Sequence, residues 1–318
     1  MKVGSSRSTK FGVILLPYSV SFSTILKAAK RAEELGFDSV WVSDHIQRGK
    51  IPTLECWSTI SALGARTESL RIGSLATCSS FRNPALLAKT FSTASNISNG
   101  RVELGIGTGY DPDEHIANGY DFPILATRID RLCEILQILQ ILWNKGEPID
   151  FHGRFFHLKN AVSEPKPVAE PRVTVAGRNR ELIESVSGLA DAVNILPYSG
   201  TLEKRRISTV EEIEELSDFI GSFGLERSMY CGDGGVIIGK DAREVEERIK
   251  ALSALQGSDS SEIEKRLANL SIIHGTVEKC REAISTLESL GFSELMMIFP
   301  GWQQEDFANM DLFAKEFL

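Results

Sequence analysis

The residues best suited to proton transfer are Asp44 and His45, which follow a short apolar run at Asp38–Val42. A histidine can give or take a proton near neutral pH, because its unperturbed pKa is close to ~6.5. The neighbouring Asp44 could orient the imidazole or hold a cofactor group. A loop histidine that only hydrogen-bonds the next strand has the same local sequence, so both interpretations stay open.

Two glycine segments could bring the backbone close to a ligand. Gly105, Gly107 and Gly109 have the spacing GxGxG, which departs from the dinucleotide fingerprint GxGxxG because Tyr110 stands where a small residue is needed. Glycines still allow backbone N–H groups to approach a planar ring or a phosphate. The segment 177–179 (Gly-Arg-Asn) could place amides and a guanidinium on a phosphate. Simple turns explain both segments equally well.

Other chemistry finds little support in the residue spacing. His115, His152 and His157 lack the spacing of metal ligands, and no histidine pair falls at i, i+4 on a predicted helix. No G-x-S-x-G motif or Cys/His pairing marks a covalent nucleophile. The sequence therefore predicts neither a metal site nor covalent catalysis.

The elements that must position these residues are eight short apolar runs, each followed by a segment with helical spacing. Their nearly continuous apolar character is typical of parallel strands buried on both faces. The runs are Phe11–Leu16, Asp38–Val42, Arg71–Thr77, Arg101–Ile106, Arg172–Ala176, Asp191–Leu196, Ser228–Ile238 and Glu294–Phe299. This alternation predicts a (β/α)8 TIM barrel, with a doubly wound open sheet as the main rival.

The barrel prediction fixes where the candidate residues should meet. Active sites of such barrels lie at the carboxyl ends of the strands, and the segments after the second, third, fourth and fifth runs are all polar or glycine-rich. An insertion from Gly107 to Pro171 separates the fourth and fifth strands, and we expect a long helix and a hairpin near Phe151–Leu158 inside it. No linker or repeat interrupts the chain, so residues 1–318 are predicted to form one domain.

Composition excludes several classes of partner. The 318 residues carry a net charge of −8, and the one dense basic run, 204–206 (Lys-Arg-Arg), stands beside Glu203, so we expect no nucleic-acid binding. No apolar stretch reaches the ~18–20 residues of a membrane span. Five scattered cysteines without a CxxC pair favour a reducing compartment, and we predict a cytoplasmic protein.

Several motifs together resemble the luciferase-like monooxygenase superfamily. They cover most of the chain and occur in the same order, with the weakest similarity at about 201–270. The segments are Ala29–His45 (AKRAEELGFDSVWVSDH), Thr67–Gly73 (TESLRIG), Ser98–Gly109 (SNGRVELGIGTG), Arg128–Trp143, Val175–Gly177 and Gly275–Phe292. The Ser-Asp-His ending of the second strand looks most like the branch that uses coenzyme F420, which includes methylenetetrahydromethanopterin reductases and sugar-phosphate dehydrogenases.

This resemblance implies a barrel that binds F420 or FMN, with the site residues carried over by position. Asp44 and His45 would lie beside the deazaflavin ring and act in catalysis, with Asp44 also binding the cofactor. A non-prolyl cis peptide near Leu75-Ala76 would support the ring from behind. The remaining cofactor-binding residues would be Thr108, Gly109, Ala176, Gly177 and Arg178.

One departure from the resembled dehydrogenases concerns the proton donor. They place a glutamate directly after the Gly-Thr-Gly triplet, where this chain has Tyr110. We assign Tyr110 and the nearby Glu114 to substrate binding. The predicted activity is hydride transfer between F420 and a small organic substrate, for which the methylenetetrahydromethanopterin type is one candidate.

Three alternatives to this activity stay open. They are an FMN-dependent monooxygenase, a flavin-binding protein without catalysis, and a cofactor-free barrel acting on sugar phosphates. Many members of the superfamily are homodimers, and the predicted helix with Cys56, Trp57 and Ile60 corresponds to their interface. We therefore expect a homodimer.

Overall fold

A computed structural model describes residues 9–199, 206–257 and 259–318 of the chain. The strands in these ranges are β1 (Lys10–Leu15), β2 (Ser39–Val42), β3 (Arg71–Ser74), β4 (Thr77–Cys78), β5 (Val102–Gly107), β6 (Ile149–His152), β7 (His157–Ala161), β8 (Val173–Ala176), β9 (Ala192–Ile195), β10 (Tyr198–Ser199), β11 (Arg206–Ile207), β12 (Glu226–Tyr230), β13 (Ile238–Gly239), β14 (Gly275–Thr276) and β15 (Glu294–Met297). The α-helices are α1 (Phe22–Leu35), α2 (Cys56–Gly64), α3 (Pro84–Ile97), α4 (Pro112–Ala117), α5 (Leu125–Asn144), α6 (Arg180–Val186), α7 (Val210–Gly221), α8 (Ala242–Gln256), α9 (Ser260–Leu270), α10 (Val277–Ser289) and α11 (Ala308–Phe317).

The main sheet has the strand order of a closed barrel. Its order is β3-β2-β1-β15-β12-β9-β8-β5-β4, and β3 also pairs with β5, so the sheet returns on itself. The pairs β1–β15, β12–β15, β3–β5, β4–β5 and β5–β8 are parallel. Because β3 and β4 are two parts of the predicted third strand, eight strands close the sheet. The predicted (β/α)8 TIM barrel is confirmed, and the open-sheet rival is wrong.

The insertion between the fourth and fifth barrel strands also has the predicted content. It contains α4, the long helix α5 and an antiparallel hairpin of β6 and β7. In the hairpin, Phe151 pairs with Leu158 and His152 pairs with His157. The insertion therefore adds a small sheet outside the barrel strands.

Two compact units divide the contacts within the fold. Unit 1 comprises the described residues up to Leu15, together with Lys27–Val40 and the described residues of Asn194–Leu318. Unit 2 comprises Leu16–Leu26 and Trp41–Val193. Strands β2 and β9 each contribute residues to both units. Every site residue that the sequence predicted lies in unit 2.

The core of unit 1 depends on aromatic packing beside its strands. The Phe313 ring of α11 contacts Phe11 of β1, Phe37 and Phe299, with ring centroids 5.4 to 6.0 Å apart. A smaller apolar cluster joins α8 and α9 around Ile237. These contacts bury the apolar faces of the helices, as the hydrophobic effect requires of amphipathic segments.

The core of unit 2 is packed so closely that glycine is required next to a tryptophan. Trp41 of β2 is fully buried, and a Cβ on Gly73 of β3 would lie 2.2 Å from its ring. Leu104 and Ile106 of β5 are also fully buried. The tight strand packing gives the loops that follow these strands a rigid base.

The seventh predicted strand differs from the structure. The run Ser228–Ile238 was predicted as one strand, but β12 ends at Tyr230 and Ile238 belongs to the separate strand β13. Gly232 has a φ of +115°, which turns the chain away, and a Cβ there would lie 2.1 Å from the Leu270 carbonyl oxygen. The sequence itself marks this break, because residues 232–235 read Gly-Asp-Gly-Gly between two apolar segments.

Two predictions about partners can be compared with the described residues. No helix among them is long and apolar enough to cross a membrane. Of the predicted basic run, Arg206 forms an ion pair with Glu212 at 2.6 Å, while Lys204 and Arg205 lie outside the described ranges.

Candidate active site

His45 is held by the carboxylate of Glu114, which the chain supplies from the start of α4. The distance from His45 Nδ1 to Glu114 Oε2 is 2.7 Å, and the side chains are only 8% and 4% exposed. The other oxygen, Oε1, accepts hydrogen bonds from the backbone N–H groups of Ile46 and Gln47 at 2.7 and 3.1 Å. Because a carboxylate only accepts, Nδ1 carries the proton and Nε2 of the neutral ring is an acceptor.

Tyr110 completes this arrangement on the other ring nitrogen. Its hydroxyl lies 3.3 Å from His45 Nε2, and the residue is 50% exposed. Tyr18 contacts the imidazole from a third side, with ring centroids 5.8 Å apart, and its hydroxyl is 2.8 Å from Ser43 Oγ. Burial raises the pKa of Tyr18 to about 12, so this phenol stays neutral. Tyr110, His45 and Glu114 therefore form a hydrogen-bonded chain from solvent to a buried carboxylate.

Asp44 faces a different set of partners from His45. Its carboxylate accepts hydrogen bonds from the Arg82 guanidinium through both oxygens and from the backbone N–H of Cys78 at 2.9 Å. Arg82 also donates to Glu55 at 2.6 Å. Asp44 thus connects the end of β2 to the turn after β4, and this buried ion pair fixes the loop that carries His45.

We expect Asp44→Asn to lower the free energy of unfolding by about 3 kcal/mol. The change removes the carboxylate charge that pairs with the Arg82 guanidinium at a buried site. Urea denaturation of both proteins measures the difference. Asp130→Asn is the matched control, since Asp130 pairs with Arg154 at an exposed site and should contribute less than about 1 kcal/mol. Equal losses in the two variants would contradict the structural role of Asp44.

The cis peptide expected from the resemblance is present between Leu75 and Ala76, at the interruption between β3 and β4. One further predicted cofactor residue, Ala176, lies close to it, with Gly107, the last residue of β5, beside both. A Cβ on Gly107 would be 3.3 Å from the Ala176 carbonyl oxygen and 3.8 Å from Ala76 Cβ. Ala76, Gly107 and Ala176 therefore form a shallow floor of small residues at the ends of three strands.

The turn after this floor is shaped by Gly109. Its φ of +78° lies in the left-handed region, and a Cβ there would be 2.9 Å from both Cys78 Sγ and His115 Cε1. A residue with a side chain would need both strain and displacement at this point. Thr108 before it is buried, and Tyr110 after it points to His45.

The last predicted cofactor segment follows β8. Gly177 has a φ of +156°, and a Cβ on it would be 2.6 Å from the Leu182 side chain. Asn179 caps α6 by accepting the Leu182 backbone N–H at 3.0 Å. Arg178 is partly exposed in this turn. The contacts of Gly177 and Arg178 described here do not include His45 or Tyr110.

The sequence located most of this arrangement but missed its connections. It offered Asp44 as a group that orients His45 or holds the cofactor, whereas the Asp44 carboxylate binds Arg82 and the Cys78 amide. It also gave no role to Arg82, although a buried carboxylate requires a cation and Arg82 is the first one after the third strand. Glu114 was predicted to bind substrate, and its contacts described here are with His45 and two loop amides. Within the described ranges, no three potential metal ligands form a group.

Comparison with known proteins places this arrangement in a family context. A family model described as luciferase-like monooxygenase matches residues 1–294. Among curated proteins, an F420-dependent glucose-6-phosphate dehydrogenase of Amycolatopsis mediterranei is 35% identical over 158 residues, which are 48% of this chain and 46% of the relative. An F420-dependent hydroxymycolic acid dehydrogenase of Mycobacterium tuberculosis is 32% identical, over 52% of this chain and 46% of the relative. The chain spans about half the length of these curated relatives.

Solved structures with the same fold cover nearly the whole chain. An F420-dependent secondary alcohol dehydrogenase in complex with an F420-acetone adduct has a TM-score of 0.77 and 20% identity, covering 96% of this chain and 97% of that one. The coenzyme F420-dependent tetrahydromethanopterin reductase of Methanopyrus kandleri has a TM-score of 0.75 and 16% identity, covering 97% and 98%. At these identities the similarity establishes the barrel fold.

Proposed function

Because this chain belongs to the luciferase-like monooxygenase family, we propose that it is an F420-dependent oxidoreductase that transfers a hydride between the deazaflavin and a hydroxyl-bearing or carbonyl substrate. The observation that carries this proposal is the hydrogen-bonded chain of Tyr110, His45 and Glu114. Oxidation of an alcohol releases a proton together with the hydride, and these three hydrogen-bonded side chains provide a path for that proton. Curated relatives named F420-dependent dehydrogenases support the choice of cofactor.

The residues at the strand ends fit a planar cofactor. Ala76 and Ala176 are half-buried, and a Cβ on Gly107 would fill the space between them. Glycine at such a position allows a ring to approach the main chain closely. We assign this floor to the deazaflavin, with Asp44, Leu75, Thr108 and Gly109 beside it, and the turn with Gly177 and Arg178 to its phosphate-bearing tail.

When bound, F420 would supply the hydride chemistry at the substrate carbon. Tyr110 accepts the proton of the substrate hydroxyl while its own proton passes to His45 Nε2. Glu114 stabilises the resulting imidazolium through Nδ1, at 2.7 Å. In the reverse direction His45 returns the proton through Tyr110 to the carbonyl oxygen. The half-exposed phenol is thus the group that meets the substrate.

This assignment gives Tyr110 the position of the glutamate proton donor in the resembled dehydrogenases. It leaves the individual substrate open among sugar phosphates and secondary alcohols. A methylenetetrahydromethanopterin-type substrate, whose reacting carbon carries no hydroxyl or carbonyl oxygen, is the contrasting member of the test panel. We further propose that residues 1–318 act as a single domain and as a homodimer in the cytoplasm.

Titration of the purified protein with F420 and, separately, with FMN tests the cofactor. Changes in the intrinsic fluorescence of each cofactor report binding. We expect saturable binding of F420 and its reduction in the presence of a substrate from the panel. Binding of FMN alone, with oxygen consumption, would replace the proposal by a flavin monooxygenase, and binding of neither would leave a cofactor-free barrel.

Removal of the Tyr110 hydroxyl should slow turnover without affecting cofactor binding. We expect Tyr110→Phe to lower kcat about 10²-fold, a typical contribution of a positioned acid–base group. Stopped-flow reduction of F420 by the best substrate measures it. Tyr120→Phe is the matched control, because the Tyr120 hydroxyl lies 3.2 Å from the Phe81 carbonyl oxygen, away from His45. Similar rates in Tyr110→Phe and the unaltered protein would exclude the phenol from the proton path.

A further inference from the structure

Directly behind the Tyr110 turn lies a second buried pair, formed by Cys78 and His115. Cys78 Sγ is 3.5 Å from His115 Nε2, and the two residues are 6% and 1% exposed. His115 Nδ1 is 2.6 Å from the Asp111 carbonyl oxygen. Because a carbonyl only accepts, the proton of the neutral ring is on Nδ1. Nε2 then accepts a hydrogen bond from the Cys78 thiol.

This pair is connected to His45 and Glu114 on both sides. Cys78 donates its backbone N–H to Asp44 at 2.9 Å, and Asp44 is the chain neighbour of His45. His115 is the chain neighbour of Glu114, which binds His45 at 2.7 Å. Two peptide bonds between neighbouring residues and three hydrogen bonds therefore close a ring through Asp44, His45, Glu114, His115 and Cys78.

The surroundings of His115 leave its ring little freedom. Its centroid lies 4.6 Å from that of Phe81 and 4.8 Å from that of Phe122. The Arg128 guanidinium stacks on the Phe122 ring, 3.8 Å from its centroid, and donates a hydrogen bond to the Gly109 carbonyl oxygen at 3.2 Å. Packing therefore fixes the ring in place, and the Cys78 and Asp111 hydrogen bonds fix its orientation.

We propose that Cys78 and His115 form a clamp that positions Glu114 against His45. Cys78 and His115 are then positioning residues for the proton transfer. The inference rests on the proposed function, because it concerns how the proton path is assembled. The α4 helix has only six residues, too few to be stable alone, so its orientation must come from tertiary contacts. The clamp sets that orientation one residue away from the carboxylate that must reach the imidazole.

The same geometry excludes a nucleophilic role for the cysteine. A reactive thiol needs access and a thiolate form. Cys78 is buried, and burial raises its pKa to about 12, so it stays a hydrogen-bond donor at neutral pH. The Gly109 backbone also covers the pair, since a Cβ on that residue would touch Sγ and Cε1 at 2.9 Å.

Activity measurements on cysteine and histidine variants test the clamp. We expect Cys78→Ala and His115→Phe each to lower kcat at least about tenfold, with KM and F420 affinity changed less than about twofold, because small displacements of acid–base groups reduce turnover strongly. The phenylalanine retains the aromatic packing and removes both hydrogen bonds. Cys78→Ser, which keeps a donor, should restore most of the rate. Cys280→Ala, another buried thiol, should have no effect on kcat.

Spectra of the ¹⁵N-histidine-labelled full chain without cofactor test the clamp independently of activity. We expect His115, assigned by its loss in His115→Phe, to carry its proton on Nδ1, and the Nε2 resonance to shift in Cys78→Ala. A proton on Nε2, or equal kcat in Cys78→Ala and Cys280→Ala, would overturn the clamp. If the tautomer and the shift are as expected but the protein neither binds nor reduces F420, the contact between Cys78 and His115 stands and the proposed function is wrong.

Discussion

Replacement of Glu114 by glutamine should lower kcat by about 10³-fold, since removal of the charge of an orienting carboxylate has effects of up to ~10⁴ in the serine-protease triad. The glutamine amide would present N–H groups or a neutral oxygen to His45 Nδ1, where the structure has a carboxylate oxygen at 2.7 Å. A donor at this position favours the tautomer that carries its proton on Nε2. The imidazole then loses its capacity to accept a proton from Tyr110, and no negative charge stabilises the imidazolium.

A matched control separates this effect from loss of structure. Glu134 also accepts backbone hydrogen bonds, from Arg154, Phe155 and Phe156 at 2.6 to 3.2 Å, but its carboxylate binds no imidazole among the contacts described here. Glu134→Gln should therefore lower stability to a similar extent and leave kcat within about threefold. Rapid reduction of F420 at saturating substrate measures both variants. Equal kcat in Glu114→Gln and Glu134→Gln would show that Glu114 only holds its loop.

The barrel could be predicted from the sequence because its signals are local. Nearly continuous apolar runs such as Arg101–Ile106 mark strands that are buried on both faces, and each precedes a segment with helical spacing. The order of these elements then restricts the topology to very few arrangements. The exception is the seventh strand, where Gly232 and Gly235, both with positive φ, turn the chain between two segments with buried apolar residues. Burial alone does not distinguish a strand from a packed turn.

The side-chain pairs could be predicted only in part, because they join residues that are distant in the chain. The strand ends predicted that Asp44, His45 and the Gly107–Gly109 turn would come together, and Tyr110, directly after that turn, lies 3.3 Å from His45 Nε2. The pairing of His45 with Glu114 spans 69 positions, and that of Asp44 with Arg82 spans 38. The sequence indicates such pairs only through the rule that a buried charge needs a partner. That rule does not identify which of several candidate residues is the partner.

A second large effect is expected at Gly105, where the strand has no space for a side chain. A Cβ on this residue would lie 2.0 Å from the Ser74 carbonyl oxygen, a backbone atom in the neighbouring strand segment. Relief of that overlap requires the strands to move apart inside a packed barrel. We expect Gly105→Ala to lower the free energy of unfolding by about 3 kcal/mol or more, measured by urea denaturation.

At Gly107, two residues further along β5, the same substitution should affect cofactor binding and leave stability nearly unchanged. A Cβ there would be 3.3 Å from the nearest atom, the Ala176 carbonyl oxygen, so Gly107→Ala should fold with less than about 1 kcal/mol of lost stability. The new methyl group would stand on the floor assigned to the deazaflavin, and the dissociation constant for F420 should rise at least about tenfold. If Gly107→Ala binds F420 as the unaltered protein does, the floor lies elsewhere. The two glycines therefore separate a requirement of the fold from a requirement of the cofactor, with the same atom added on the same strand.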